Sequence, residues 1–281
     1  MLAFRYRLGE RIAMGDTAEI YKGTEDPGIG GVTEQDVMVK LVRPALAGRD
    51  GGLLALRLAD QAENLRHAVH PGVGRLIADG WDEPLGARFL VLEVLGGETL
   101  EARLAPTRKL DVGQALELAG ALCEVLGFLH QNGLLHLDLS PGNIVPNEAG
   151  APFPLKLMEV GRYRIGDAPT PPSRVNGSAA YLAPERLRGE ACGVRADVHA
   201  IGAVLYRMLG GHPPFRGVTV DELLARRTKG VPPLFAAGVS PADEADRAAR
   251  KCLADDPAQR FSTVEELHAV LKDMQARRPG A

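Results

Sequence analysis

The run His136-Leu137-Asp138-Leu139-Ser140-Pro141-Gly142-Asn143, followed downstream by Glu159-Val160-Gly161, decides the fold and the candidate chemistry. The carboxylate of Asp138 can accept the proton of an attacking hydroxyl group. Asn143 offers an amide oxygen, and Glu159 offers a carboxylate directly after an apolar, strand-like segment. Oxygen ligands of this kind are the ones that Mg²⁺ prefers. The stretch therefore contains one candidate proton acceptor and two candidate metal ligands.

The residues before this run show the pattern of short strands with one helix among them. The pattern predicts strands over 6–13, 19–24, 37–42, 76–81 and 88–94. Residues 53–69 repeat apolar side chains at steps of three and four, which predicts a helix. Its inner face would carry Leu54, Leu58, Gln61, Leu65 and Val69. Residues 1–95 therefore form a small, strand-rich lobe in this interpretation.

After Gly96 the pattern changes to helices. Asp111 precedes apolar residues at helical spacing and predicts an N-cap, and Asp197 predicts a second N-cap before Ile201. Residues 96–281 are therefore expected to form a larger helical lobe, with 93–97 as the connector. We predict a single domain over 1–281, of α+β class, with a ligand cleft between its two lobes.

The composition narrows the classes of partner. The chain has 281 residues, 45% of them hydrophobic and 25% charged, and a formal net charge of −3. Such a balance gives no general attraction to nucleic acid or to an anionic membrane, so we expect a protein or a small molecule as partner. No apolar run is expected to approach the ~20 residues that span a bilayer.

The three cysteines, Cys123, Cys192 and Cys252, show no spacing typical of metal ligands. They fit buried thiols in a reducing compartment. With no signal-peptide pattern at the N-terminus, this predicts a cytoplasmic protein.

The opening run resembles the catalytic loop H-R-D-L-K-P-x-N of protein kinases, and Glu159-Val160-Gly161 resembles their D-F-G motif. Later segments resemble the same family, namely Gly177-Ser178-Ala179-Ala180-Tyr181-Leu182-Ala183-Pro184-Glu185, Arg195-Ala196-Asp197-Val198-His199-Ala200-Ile201-Gly202, Gly211-His212-Pro213-Pro214-Phe215 and Asp256-Pro257-Ala258-Gln259-Arg260. These match G-T-x-x-Y-x-A-P-E, S-D-I-Y-S-L-G, G-x-x-P-F and D-P-x-x-R. The resemblance spans about residues 4–275 and implies a two-lobed, bacterial-type Ser/Thr protein kinase fold.

The resemblance also implies a role for individual residues. Asp138, Lys40 and Asn143 would be catalytic, and Asn143 and Glu159 would bind Mg²⁺. ATP would be contacted by Gly15, Ile20, Lys40, Glu93, Leu95 and Val145. His136 would hold the backbone of the loop, and Arg260 would pair with Glu185. A protein substrate or a regulatory protein would be the partner, and the segment 177–185 would receive a protein substrate.

Several positions depart from the family pattern. Ala13 and Ala18 replace glycines, Met38 replaces a small alanine beside the adenine, and Gln61 replaces the glutamate that pairs with the lysine. Leu137 replaces the arginine that binds a phosphorylated activation segment, so phosphorylation there should not switch this protein on. Ser140 replaces a lysine, and Glu159 is one methylene longer than the aspartate of D-F-G.

These departures leave two functions open. The chain is either a weak Ser/Thr protein kinase that uses ATP and Mg²⁺, or a pseudokinase that serves as a regulatory or binding scaffold. A small-molecule phosphotransferase is placed behind both, because that class shares the catalytic loop but lacks the A-P-E segment and its arginine.

Overall fold

The computed structural model describes residues 2, 5–14, 18–26, 35–42, 51–107, 109–172, 177–235 and 241–277. Gly15, a predicted ATP contact, lies outside these residues. The chain divides into two compact units. The first unit comprises Met1–Val69, Gly74–Gly96 and Val160–Arg162, and the second comprises His70–Val73, Gly97–Glu159 and Tyr163–Ala281.

In its described residues, the first unit has a five-stranded antiparallel sheet and one helix. Its strands are β1 (Tyr6–Met14), β2 (Ala18–Glu25), β3 (Gln35–Val42), β4 (Leu76–Asp82) and β5 (Ala87–Glu93), in the order β1-β2-β3-β5-β4. Helix α1 (Gly51–His67) follows β3 in sequence. All five predicted strands are present, each with ends within two residues of the prediction.

Alternation along the central strands gives the sheet two buried faces. Val37, Val39 and Leu41 of β3 pack in one apolar cluster with Tyr6 and Phe89. On the other face, Val42 and Leu90 pack against Leu58 and Ala62 of α1 in a second cluster. Helix α1 therefore covers this face of the sheet. Because side chains alternate across a strand, Lys40 lies on the same face as Val42.

The predicted helix over 53–69 is confirmed, but its C-terminal end was placed too late. α1 ends at His67, and Val69 is 78% exposed, so the prediction that Val69 lies on the inner face is wrong. The residue before a proline is restricted to extended backbone, and His70-Pro71 follows directly. Ala68, which is buried, takes the last apolar place.

The second unit is mainly helical. Its helices are α2 (Leu100–Thr107), α3 (Val112–Gln131), α4 (Pro184–Arg188), α5 (Val194–Gly210), α6 (Val220–Arg227), α7 (Pro241–Cys252) and α8 (Val264–Ala276). Two short antiparallel pairs accompany them: β6 (Leu134–Leu135) with β9 (Tyr163–Arg164), and β7 (Ile144–Pro146) with β8 (Leu155–Leu157). The core is formed by α3 and α5, against which α7 and α8 pack.

Helix α3 shows how the core forms from the sequence. The Asp111 carboxylate accepts from the backbone N–H groups of Gly113 and Gln114, which confirms the predicted N-cap. By length and composition alone α3 could cross a membrane, so the expectation that no apolar run approaches this length is wrong. Of its apolar stretch, 67% is buried inside the protein, as in the core helix of a globular domain.

Candidate functional site

In the first unit, Lys40 lies on the helix-covered face of the sheet among the residues predicted to contact ATP. Ile20 of β2 is its direct register partner, and Leu90 of β5 is its partner on the other side. Met38 lies two residues before Lys40 and pairs with Leu92, so both share this face. The structure thus brings Ile20, Lys40 and Met38 together on one surface.

A hydrogen-bond chain orients the ammonium group of Lys40. Its Nζ donates to Oε1 of Gln61 at 3.2 Å, and Nε2 of Gln61 donates to the carbonyl oxygen of Val160 at 2.8 Å. Lys40 and Gln61 are both buried. The assignment of Gln61 as the partner of Lys40 is therefore confirmed. A neutral amide holds this cation with less electrostatic energy than a carboxylate would supply.

The residues after Glu159 pack closely on helix α1. Asn64 Nδ2 donates to the carbonyl oxygen of Gly161 at 2.8 Å. Gly161 has φ +84°, and a Cβ atom on it would lie 3.2 Å from the carbonyl oxygen of Gln61. The left-handed backbone and the close approach both favour glycine here, which accounts for the last residue of the motif.

The predicted adenine-binding backbone lies at the end of β5. The N–H group of Glu93 donates to the carbonyl oxygen of Arg75, and the Glu93 carboxylate accepts from the N–H group of Arg75 at 2.8 Å. The backbone N–H of Glu93 is thus bonded to Arg75, and its contact with a nucleobase stays a prediction. Leu95 follows the strand and is half-buried.

In the second unit, the catalytic loop is held by His136. Its Nδ1 accepts from the N–H group of Asp138 at 3.3 Å, and its Nε2 contacts the carbonyl oxygen of Met158 at 3.1 Å. The His136 side chain is fully buried. This confirms that His136 holds the backbone of the loop, and it links the loop to the residue before Glu159.

The second unit also brings Asp138, Asn143 and Glu159 together. Asn143 Nδ2 donates to the backbone carbonyl oxygen of Asp138 at 2.8 Å, so the amide oxygen of Asn143 is not needed for that bond. The N–H group of Met158 donates to the carbonyl oxygen of Asn143 at 2.9 Å, which extends the β7–β8 ladder. Glu159 follows at the end of this ladder. Val145, in the middle of β7, is buried.

These oxygens fit Mg²⁺. The described residues contain no cluster of three or more His, Cys, Asp or Glu side chains that could hold a metal ion. Mg²⁺ does not require one, because proteins usually bind it through one or two side-chain oxygens together with phosphates and water. The amide oxygen of Asn143 and the carboxylate of Glu159 are the residues that would hold it.

Asp197 anchors the catalytic loop and is not the predicted N-cap. Helix α5 begins at Val194 with Gly193 as its N-cap, so Asp197 lies inside the first turn. Its buried carboxylate accepts from the N–H groups of His136 and Leu137, each at 2.9 Å, and contacts His130 Nε2 at 2.9 Å. Burial alone would raise the pKa of Asp197, but these hydrogen bonds leave that pKa below its ordinary value.

Leu137 and Glu159 share an unusual backbone conformation. They are the non-glycine residues with positive φ in the described part of the chain, at 56° and 58°. Leu137 is buried in an apolar cluster with Leu135, Ala183, Cys192 and Ala196. An apolar contact therefore occupies the place where the family pattern has a phosphate-binding arginine. The expectation that phosphorylation does not switch the protein stays a prediction.

The segment 177–185 is fixed at its C-terminal end by the predicted ion pair. Arg260 donates to both carboxylate oxygens of Glu185, at 2.7 Å and 2.9 Å. Its remaining N–H groups reach the carbonyl oxygens of Ala254, Arg195 and Asp255. All five guanidinium donors are thus used, and the pairing of Arg260 with Glu185 is confirmed.

Two buried residues beside this segment were not identified as functional from the sequence. Arg227, at the end of α6, donates to the carbonyl oxygen of Leu182 at 2.7 Å. His199 of α5 stacks on Phe215, and neither of its ring nitrogens has a hydrogen-bond partner within 3.5 Å among the described residues. Arg227 belongs to no quoted motif, and His199 lies within the run 195–202 without a role assigned to it, so only the tertiary contacts reveal what the two residues do.

His199 predicts an acid-sensitive stability. Burial, together with the positive charges of Arg260 and Arg227, keeps its pKa well below the ordinary value of 6.5 in the folded protein. Below about pH 6.5 the unfolded chain binds a proton that the folded chain does not, so stability falls as the pH falls, by up to ~1.4 kcal/mol per pH unit. Above that pH, the histidine contributes no pH dependence.

We therefore expect the variant His199→Phe to lose less stability than the wild type between pH 6.5 and 5. Urea unfolding at several pH values would measure this difference, with His67→Gln as a control because His67 is 71% exposed. His70 and His268 also have lowered pKa values through burial, so part of the pH dependence should remain. Parallel pH curves for the wild type and His199→Phe would contradict the prediction.

Comparison with known proteins agrees with this geometry. Residues 6–271 match the protein kinase domain family. The chain is 32% identical over 277 residues to serine/threonine-protein kinase PknB of Mycobacterium tuberculosis, with 96% of this chain and 43% of that protein covered. It is 33% identical over 279 residues to PknB of Mycolicibacterium smegmatis, with 96% and 43% covered.

A probable serine/threonine-protein kinase of Streptomyces coelicolor is 31% identical over 275 residues, with 95% of this chain and 39% of that protein covered. The chain thus spans less than half the length of these relatives. The match includes both units, the strand-rich one and the helical one. The chain belongs to the protein kinase family and has its α+β, two-lobed fold.

Proposed function

We propose that this chain is a Ser/Thr protein kinase domain of low activity, which transfers a phosphoryl group from ATP to a hydroxyl group of a protein. Asp138 accepts the proton of the attacking Ser or Thr hydroxyl. Lys40 binds the ATP phosphates, and Asn143 and Glu159 bind Mg²⁺. ATP with its Mg²⁺ supplies the phosphoryl group when bound.

One observation carries this proposal. The bond from Asn143 Nδ2 to the backbone oxygen of Asp138, at 2.8 Å, ties the candidate base to the candidate metal ligand. Asp197 holds the same loop from the other end through two backbone N–H groups. A loop fixed at both ends presents its carboxylate without a large cost in ordering, which is what a positioned general base requires.

The first unit supports the same function. The chain from Lys40 through Gln61 to Val160 fixes the ammonium group by hydrogen bonds of 3.2 Å and 2.8 Å. Ile20, directly opposite Lys40 on the neighbouring strand, supplies an apolar surface for an adenine ring. Glu93 and Leu95 provide backbone groups for its polar edge.

Low activity follows from three side chains. Gln61 orients Lys40 without neutralising it. Ser140 carries no positive charge toward a transferring phosphoryl group, and the loss of one such electrostatic contact can cost ~10²-fold in rate. Glu159 moves its carboxylate by about 1 Å relative to an aspartate, with a cost of similar size.

The test is transfer of labelled phosphate from ATP and Mg²⁺ to the protein itself and to a generic basic protein substrate. We expect slow transfer by the wild type and a rate about 10²- to 10⁴-fold lower for Asp138→Asn, because the base is lost. Glu148→Gln, an exposed change in the same unit, serves as the control. A wild type and a Glu159→Asp variant as silent as Asp138→Asn would contradict the proposal.

A catalytically silent scaffold is the second candidate, and the contact between Lys40 and Gln61 favours it. A buried ammonium that is paired with an amide is satisfied without a nucleotide, as a binding module would require. Melting curves with ATP, with and without Mg²⁺, separate these cases. Stabilisation by ATP without any transfer would favour a nucleotide-binding scaffold over a kinase.

The cellular setting is also a proposal. Cys123, Cys192 and Cys252 are free and buried. Burial raises the pKa of both the Cys192 and the Cys252 thiol to about 12, so they stay protonated and unreactive. Free thiols of this kind suit a reducing compartment, and we therefore propose that the domain acts in the cytoplasm on a protein substrate or with a regulatory partner.

A further inference from the structure

Arg227 is a buried cation whose hydrogen bonds converge on the segment 177–185. Its side chain lies at the C-terminal end of α6, and the residue is 2% exposed. One terminal nitrogen donates to the carbonyl oxygen of Leu182 at 2.7 Å and lies 3.4 Å and 3.5 Å from those of Ala180 and Ala179. The other donates to the carbonyl oxygen of Leu223 at 3.0 Å.

The convergence of three carbonyl oxygens has an electrostatic cost unless a cation is present. The turn bonds within this stretch run from Tyr181 N–H to the Ser178 oxygen at 3.0 Å and from Leu182 N–H to the Ala179 oxygen at 3.4 Å. These bonds close the turn. The carbonyl oxygens of 179, 180 and 182 nevertheless all point toward the same terminal nitrogen of Arg227. The guanidinium group offsets their mutual repulsion and fixes that backbone conformation.

The surroundings show that Arg227 is dedicated to this contact. Its guanidinium carbon lies 4.4 Å from the centroid of the Phe215 ring, so an aromatic face covers it. Burial lowers its pKa to about 10, which still leaves it charged at neutral pH. No carboxylate lies within ion-pair distance of Arg227 in the described part of the chain, and its terminal nitrogens donate to backbone oxygens instead. The carboxylates of Asp255 and Glu185 act on its charge from farther away.

We propose that Arg227 is a positioning residue for the protein substrate, which holds the backbone of 179–182 in the conformation that receives the substrate chain. The inference rests on the proposed kinase function, because it assigns the segment 177–185 to substrate binding. Arg227 and Arg260 would then stabilise different parts of the segment 177–185. Arg260 fixes the carboxylate of Glu185 at the end of the segment, and Arg227 fixes the carbonyl oxygens in its middle.

Two variants test this role. Arg227→Lys keeps the charge but has one nitrogen in place of the planar fork, and Arg227→Ala removes both charge and donors. Arg226→Ala is the matched control, because Arg226 is the preceding residue of the same helix and is exposed. The probe is a degenerate peptide library with a central Ser or Thr, and melting curves establish that each variant is folded.

For Arg227→Lys we expect the KM for the peptide library to rise about tenfold, as for the loss of one charged hydrogen bond, with the KM for ATP unchanged. Amide hydrogen exchange over 177–183 should accelerate in the same variant and not in Arg226→Ala. If Arg227 served only global stability, Arg227→Lys would lower the melting temperature without raising the KM for peptide relative to the KM for ATP.

The outcomes distinguish this inference from the proposed function. Faster exchange over 177–183 with an unchanged KM for peptide would overturn the positioning role, as would unchanged exchange. If the wild type transfers no phosphate, the dissociation constant of the peptide library replaces KM. A tenfold weaker dissociation constant for Arg227→Lys would then support the role of Arg227 even though the kinase function fails, and equal constants would overturn it.

Discussion

Replacement of Arg260 by methionine is expected to lower the free energy of unfolding by about 3–5 kcal/mol, because it leaves the carboxylate of Glu185 buried without its cation. The Arg260 side chain is fully buried, and Glu185 is nearly so. The variant also leaves the carbonyl oxygens of Ala254, Arg195 and Asp255 without their donor. Such a loss should lower the melting temperature by roughly 10 °C.

A double-mutant cycle measures how much of this loss belongs to the ion pair itself. Glu185→Met combined with Arg260→Met removes both charges, so the double variant should be more stable than the sum of the single losses predicts. Urea unfolding of the four proteins gives the coupling energy. Losses that simply add would show that the two side chains act independently, contrary to the prediction.

An exposed pair of similar geometry provides the control. Arg277 donates to both carboxylate oxygens of Glu244, at 3.1 Å and 2.8 Å, but 53% of its side chain is exposed. Water already solvates these charges, so Arg277→Met should change the stability little. The contrast between the two arginines separates the effect of burial from the effect of hydrogen-bond geometry.

The sequence predicts most of this fold because the local signals are strong. The pattern of short strands predicts β1 to β5, and Asp111 marks the start of α3. The pair of Arg260 with Glu185, 75 residues apart, was predicted only through resemblance to a family. Periodicity alone carries no information about contacts at that separation.

The misplaced end of α1 has a local cause in His70-Pro71, whereas the error at Asp197 arises because tertiary contacts overrule a local preference. An aspartate at the beginning of a helix is a natural N-cap, yet Asp197 turns its carboxylate to the backbone of His136 and Leu137. That use depends on residues 60 positions away and has no local signature. Arg227 was missed for the same reason, since an arginine near a helix end normally indicates a solvated side chain.

Shortening Glu159 by one methylene group is expected to raise the rate of phosphoryl transfer by ~10²-fold. The variant Glu159→Asp would withdraw the carboxylate by about 1 Å, the scale on which misplacement costs that factor. Its neighbours already have fixed positions, because the Asn143 carbonyl oxygen accepts from Met158 N–H at 2.9 Å and Asn143 Nδ2 is bonded to Asp138. The shorter carboxylate at 159 would therefore lie beside Asn143, the other candidate Mg²⁺ ligand, whose position is already fixed.

The backbone supports the same change. Glu159 has φ +58°, a left-handed conformation that aspartate tolerates better than longer side chains because it can bond locally. Glu159→Asp should therefore fold at least as well as the wild type. Melting curves would check this, so that a higher rate cannot be attributed to a larger folded fraction.

Two further variants decide whether the gain comes from metal binding. Glu159→Gln keeps the length but removes the charge, so its rate should fall below that of the wild type. Glu159→Asp combined with Asp138→Asn should be silent, because a restored metal ligand cannot replace the base. A Glu159→Asp rate equal to that of the wild type would show that carboxylate length does not limit transfer. The limit would then lie with Gln61 or Ser140, whose neutral amide and hydroxyl stand where the family pattern has a glutamate and a lysine.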